Sequence, residues 1–586
     1  MTDTAGTLTD VLIVGAGPTG LTLACDLARR GIAVRIVDKS PAYPRSSRAK
    51  GPNPRSLEVL ADLGVIDEVL AAGSAPLPMR KYRDRLPVMD TDPYADSAPT
   101  PDAPYDRGWL IAQWRLEEVL RDRLAASGVR VELGAEAVGI AQIARADGEG
   151  GEGGERDASG EVDGEKDADG ETGGDGETGG GGETGGHVTV TFAAGPPVRA
   201  RYVVGCDGAH SPVRKLLGIG FDGETHAEQM MVCGDVALTD GVLDRDRWHQ
   251  WFDEDGAVML CPIPGTPSGW WFQAGPERDR EGRPLAPSQD GFRRLLTRHT
   301  GLPGSHLTDA TLLSTYRVNV RLADRYRVGR VFLAGDSAHV HAIAGGLGMN
   351  TGIQDAFNLG WKLAHVLAGR AAAGLLDTYE EERLPVAAQT LDLTSERLRA
   401  TLAAIRKPGG GLDSAITPET AGLGTGYRWS SLAAEDRDAP GGQGPEDGPH
   451  SGDRAPDAPC LAAATGAPTS LFRTFAGPHL TVLGFGPGST TALREVTAAY
   501  GDSGAVRACR VYGAGETPGT EAHALIDHQG YARAAYGVGG SGAVVVIRPD
   551  NHVGIVAPAD APRAVREYLD RLHRADGAVG MVDAVR

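Results

Sequence analysis

Asp10-Val-Leu-Ile-Val14-Gly15-Ala-Gly17-Pro-Thr-Gly20 is the stretch on which the fold turns. Its apolar run closed by glycine reads as a buried parallel strand, and a helical pattern follows from Thr19 to Arg29. In a strand-turn-helix of this kind the first glycine permits the tight turn, and the second lets backbone approach a pyrophosphate. The third lets the helix pack on the strand, and the phosphates meet the unpaired N–H groups of the helix start. A second apolar strand, Ala33 to Val37, ends on Asp38-Lys39, where an acid about 20 residues on hydrogen-bonds a ribose hydroxyl. Strand, helix, strand and acid together predict a Rossmann-like nucleotide-binding unit, with Gly15, Gly17, Gly20, Asp38 and Lys39 against the nucleotide.

Two later segments carry the same kind of chemistry. Tyr202 to Val204 reads as a strand leading into Cys206-Asp207-Gly208, with Arg214 and Lys215 just beyond. Val331-Phe-Leu-Ala-Gly335-Asp336 is a buried strand ending at a Gly-Asp pair, and Gly345-Gly346-Leu-Gly348-Met349-Asn350 opens an apolar-periodic helix from Ile353 to Leu367. A glycine-rich turn feeding a helix N-terminus presents backbone donors and a positive dipole to an anion.

In this order and at these separations the three segments resemble the class A FAD-dependent aromatic hydroxylases, the p-hydroxybenzoate hydroxylase-like family, in its polyketide-tailoring branch. The resemblance implies FAD, with Gly335 and Asp336 at its ribose and pyrophosphate and Gly346, Gly348, Met349 and Asn350 at the flavin ring. It places Asp207 near FAD, Gln113 on the flavin chain and Arg48 near the FAD phosphates or ring, and it offers Arg214 to the phosphates of NADPH. The implied reaction is monooxygenation: NADPH reduces FAD, O2 is activated, and one oxygen atom enters an electron-rich aromatic ring. Free phenols ionise near pH 10, so a base or a positive field is useful; His249 and Arg48 are the catalytic candidates.

Between the second and third segments, residues 221–316 are expected to form an antiparallel-sheet substrate domain. Trp248, Trp251, Phe252, Trp270, Trp271 and Phe272 fall within 25 positions of a chain that is 5% aromatic. Such a cluster suits a planar ligand, and Trp251, Trp271 and Ile343 are the expected substrate-lining residues. The simple hydroxylases carry prolines beside the flavin where this chain has Ala342-Ile343, and Leu347 replaces a commonly polar residue. That departure leaves Baeyer-Villiger oxygenation of a ketone open beside hydroxylation. A flavin-bearing protein that binds an aromatic metabolite without turnover is the reading from another class. The Trp-x-Trp-x-Ile-Pro pattern of flavin halogenases is absent.

Composition sets the outer bounds. The formal net charge is -20, but residues 147–186 hold 14 acids and 2 bases, supplying 12 of those negatives. So polar and glycine-rich a segment cannot offset its own chain entropy and is expected to be disordered. Its flanks alternate like strands, so it reads as an expanded hairpin loop. No basic stripe supports nucleic-acid binding. The absence of an apolar leader or a run of about 20 apolar residues points to a cytoplasmic chain without a membrane span. Cys25, Cys206, Cys233, Cys261, Cys460 and Cys509 are scattered without paired spacing, so neither disulfides nor a metal site is expected.

The expected architecture is α/β throughout. Residues 1–220 and 317–405 form the FAD-binding domain, 407–455 a Gly/Pro-rich linker, and 456–586 a small α/β unit that resembles the thioredoxin-like domain of phenol hydroxylase. That unit has no Cys-x-x-Cys, so a structural or dimer-contact role is expected, leaving monomer and homodimer both open. Gly484-Phe-Gly486-Pro-Gly488 imitates a nucleotide fingerprint there, but lacks the spacing and the ribose acid.

Overall fold

The computed structural model describes residues 8–47, 49–143, 186–253, 256–405, 407, 411–435, 448–519 and 521–573. Arg48 and nearly all of the acidic tract lie outside them.

Thr9–Val14 sits inside the first sheet, parallel to Val34–Asp38 on one side and Val198–Gly205 on the other. Val131–Leu133 and Val331–Leu333 extend it in parallel. Strands covered on both faces read as unbroken apolar runs, and Val11, Leu12 and Ile13 are accordingly fully buried. Helix Pro18–Arg29 packs on the long helix Leu347–Leu367. The strands flanking the acidic tract, Ala137–Ile143 and His187–Phe192, pair as a hairpin and join the sheet through Val198–Gly205.

The second sheet is the expected antiparallel roof, but it reaches beyond residues 221–316. Phe221–Leu238, Gly269–Ala274, Gly256–Pro262 and Trp248–Asp253 follow one another across it. The hairpin Met79–Arg83 with Leu86–Thr91, from the N-terminal part of the chain, completes one edge by pairing in parallel with Trp248–Asp253. At the other side lie Ser314–Ala323 and the short strand His339–Val340. Helix Gln289–Thr300 lies on the roof's outer face, where Phe292 stacks on Phe272 with ring centroids 4.5 Å apart.

The third sheet belongs to the C-terminal unit. Leu480–Phe485 pairs in parallel with Val506–Gly513 and antiparallel with Ala543–Ile547, which in turn pairs with Val553–Pro558. Two clusters of buried apolar side chains cover this sheet. The unit is clamped to the first domain by buried ions. Arg548 donates to both Glu382 oxygens at 2.6 and 2.9 Å and to Asp550 at 2.6 Å, while Lys362 donates to Glu382 at 2.7 Å. Burial opposes ionisation of Glu382, but Arg548 and Lys362 outweigh it and hold the carboxyl below the usual range.

The stretch expected to be a linker is only partly one. Residues 411–435 are packed: Tyr427 is buried, its hydroxyl taking a hydrogen bond from Arg383 at 3.0 Å, and Thr420 O accepts from Asn53 Nδ2 at 3.1 Å. Apolar and hydroxyl side chains in this stretch find partners on the first domain, which its Gly/Pro content concealed.

Candidate active site

The three glycines of the first turn serve different ends. Gly15 has φ +110°, and a Cβ there would lie 2.2 Å from Cys206 O. A Cβ on Gly20 would lie 2.0 Å from Gly15 O, whereas one on Gly17 would meet nothing within 4 Å. Gly15 and Gly20 are therefore small for packing, and Gly17 leaves an open cradle at the start of helix Pro18–Arg29, which has no side-chain cap. Asp38 accepts from Ala16 N and Ser40 N, both at 2.8 Å. It shapes the turn directly, and Lys39 beside it is exposed.

Gln113 opens helix Gln113–Ala126, accepting from Ala49 N at 3.2 Å and donating to Glu117 at 2.9 Å. Burial pushes the Glu117 carboxyl up to about 7. Asp207 accepts from Val213 N at 3.0 Å, while its Oδ1 is buried without a partner among the described residues. Arg214 differs from expectation. It is buried, donates to Ser337 O at 2.8 Å and Ala209 O at 2.9 Å, and lies over Phe221. Its guanidinium ties two loops together and is not a surface cation available to NADPH phosphates.

Gly335 adopts φ +64°, and its N–H donates to Asp355 at 3.0 Å. Asp336 is exposed beside it. Helix Leu347–Leu367 starts from Gly346, which is left-handed and provides no side-chain cap. Asn350 braces that start, accepting from Asn53 N and donating to Gly346 O, both at 2.8 Å. Gly348 and Met349 are half-buried in the first turn, and Ile343 is half-buried in the preceding loop. Beneath that loop runs a buried chain that the sequence reading missed. His341 bonds His339 at 2.8 Å, His339 bonds Asp355 at 2.6 Å, and Asp355 accepts from Arg383 at 2.7 Å. Its only sequence signal is an acid, Asp355, within an apolar-periodic helix.

Strand register sorts the roof aromatics. Cys261, Trp271 and Asp235 align in one cross-strand row, and Gln250, Met259, Gln273 and Cys233 in another. These rows face the first domain: Trp271 packs with Ala112, and Asp235 accepts from Ser47 N at 2.8 Å. The alternate residues face outward. Trp251 clusters with Phe292 and Leu296 of the outer helix and stacks on Tyr82 at 4.5 Å. His249 is fully occupied, with Tyr82 OH and Asp244 O each 2.8 Å from a ring nitrogen, and burial lowers its pKa. His249 as catalytic base and Trp251 as substrate contact are therefore corrected: side chains alternate across a strand, and both lie on the outer face. Trp271 lies on the inward one.

Lys50 and Asp235 were also missed. The Lys50 ammonium lies 5.4 Å from the Trp248 ring centroid and 5.9 Å from that of Trp271.

A family model described as "FAD binding domain" matches residues 8–162 and 181–394, and one for the phenol hydroxylase C-terminal dimerisation domain matches 490–576. The chain belongs to this FAD-binding family and is a flavin-dependent monooxygenase. It is 38% identical over 485 residues to a flavin-dependent monooxygenase of Mycobacteroides abscessus, covering 81% of this chain and 88% of the relative. It is 31% identical to an aklavinone 12-hydroxylase of Streptomyces purpurascens, covering 96% and 98%. A crystal structure of aklavinone-11 hydroxylase with FAD and aklavinone superposes with a TM-score of 0.74 at 28% identity, covering 98% of this chain and 100% of that one. Among the described residues no helix is long and apolar enough to cross a membrane.

The residues fit FAD. The open cradle at Gly17 and the uncapped helix starts at Gly17 and Gly346 offer donors where a dinucleotide needs them.

Proposed function

We propose that the chain hydroxylates a polycyclic aromatic polyketide, using NADPH and O2. The observation that supports this most is the inward roof face, where Trp248 and Trp271 pack beside the start of helix Gln113–Ala126. Gly15, Gly17 and Gly20 would receive the FAD pyrophosphate, Asp38 and Lys39 the ribose end, and Gln113, Asp207, Gly335 and Asp336 the chain between. Gly346, Gly348, Met349 and Asn350 would meet the flavin ring. Bound FAD supplies the redox chemistry by which O2 is reduced and one oxygen atom transferred. The protein's part is to orient the ring, exclude water and favour the ionised phenol. Relatives named for aklavinone, rifampicin and 6-methylpretetramide support the substrate class. The matched dimerisation domain supports a homodimer.

The test is NADPH consumption by the FAD-loaded protein with a panel of anthraquinone, tetracene and angucycline phenols. A ligand-stimulated rate with a product heavier by one oxygen is expected. A bound ligand that leaves the rate unchanged would refute turnover and favour a binding protein.

A further inference from the structure

The inward roof face carries polar atoms with nothing to bond. Asp235 Oδ1, Gln250 Nε2, Trp248 Nε1 and Trp271 Nε1 are buried without a hydrogen-bond partner among the described residues. Asp235 is 5% exposed and Gln250 fully buried. Unpaired buried polar groups cost about 1–3 kcal/mol each, so four on one face point to a ligand that completes them. Three of the four are N–H donors.

Lys50 adds a fourth donor and a charge. Among the described residues its ammonium has no hydrogen bond or ion pair, only the two indole faces. The residue is half-buried. Burial lowers the Lys50 pKa, and the titratable groups that act against this are Cys261, Cys233 and Asp235. Burial pushes the Cys261 thiol up to about 12, so it stays neutral, and the Asp235 carboxyl up to about 6. The Cys261 sulfur therefore does not compete as a thiolate for the ammonium.

We infer that Lys50 is the residue that binds the ionised oxygen of the substrate, selecting acidic phenols or enols in their anionic form, with Asp235 accepting from a neighbouring substrate hydroxyl. The inference rests on the aromatic-substrate reading above. An ammonium between two indoles is already partly compensated by the ring faces, so an incoming phenolate gains a partner that is desolvated and held in place. The donor excess on the same face suits the carbonyl and hydroxyl oxygens of a quinone-like ring system.

Alizarin tests it, because its anion absorbs to the red of the flavin. Bound to the FAD-loaded wild type, alizarin should ionise at a pH at least one unit lower than free in solution. Lys50→Met should abolish that shift, Lys50→Arg should keep it, and Asp235→Asn should keep or deepen it. Retained flavin absorbance reports that each variant is folded. An unchanged shift in Lys50→Met, or its loss in Asp235→Asn alone, would overturn the assignment. The dimethoxy ether of alizarin separates the two readings: if the wild type binds ether and dye equally, with the dye neutral, the role of Lys50 fails alone. If it binds neither, the aromatic-substrate reading fails with it.

Discussion

Two buried polar regions of this molecule are built on opposite terms. At the seam between the first domain and the C-terminal unit, Lys362, Glu382, Arg548 and Asp550 are all within ion-pair distance of a partner, and Asn358 and Trp361 donate to Asp550 as well. On the inward roof face, Lys50 has only ring faces, and Asp235, Gln250, Trp248 and Trp271 each keep an atom unpaired among the described residues. Burial without partners is costly, and on this face four such atoms share the surface that Lys50 meets. The ions of the joint are paired with one another, whereas the cation of the site meets only rings.

Breaking the joint should have the largest effect. Arg548→Met leaves Glu382 and Asp550 as buried carboxylates without their main cation, and removing one partner of such a pair costs about 3–5 kcal/mol. Thermal unfolding should show a large fall in Tm, and a change within error would mean that the seam is not a clamp.

The roof separates the two kinds of burial residue by residue. Trp251→Ala should lower stability by about 3 kcal/mol, the cost of emptying a core site, and leave ligand affinity unchanged. Trp271→Ala should weaken aromatic-ligand binding about tenfold, some 1.4 kcal/mol, read by titration. The reverse outcome would mean that the faces are exchanged. This distinction was not legible in the sequence. Alternation puts Trp248 and Trp251 on opposite faces, but does not say which face meets the first domain. That depends on the edge hairpin Met79–Arg83 with Leu86–Thr91 and on helix Gln289–Thr300, both remote in the chain. The nucleotide turn was legible, because glycine spacing and strand apolarity are local. Lys50 and Asp235 were not, since a lone lysine and a mid-strand acid acquire meaning only when folding brings them near one another.

The first turn sharpens the comparison further. Gly17→Ala places a methyl in open space, so the protein should fold while FAD affinity falls about tenfold, some 1.4 kcal/mol. Gly20→Ala drives a methyl to 2.0 Å from Gly15 O and should impair folding itself. Flavin content and Tm measured together distinguish the two, and equal effects in both would deny Gly17 its cradle.

Glu117 lies between the extremes, a buried acid supported by Gln113 with Arg121 3.9 Å away. Burial raises its carboxyl to about 7 in the folded protein, above the ordinary value near 4.3. A raised acid is protonated without penalty below the unfolded value, so stability is lost as pH rises from about 4.3 through 7. Glu117→Gln keeps a polar group of the same size and removes the ionisation. It should change Tm little at pH 4 and stabilise the protein by about 3 kcal/mol at pH 8, at about 1.4 kcal/mol for each unit between the two pKa values. Equal effects at both pH values would show that Glu117 is already ionised in the fold, and would move it from the strained groups of the site to the satisfied ones of the frame.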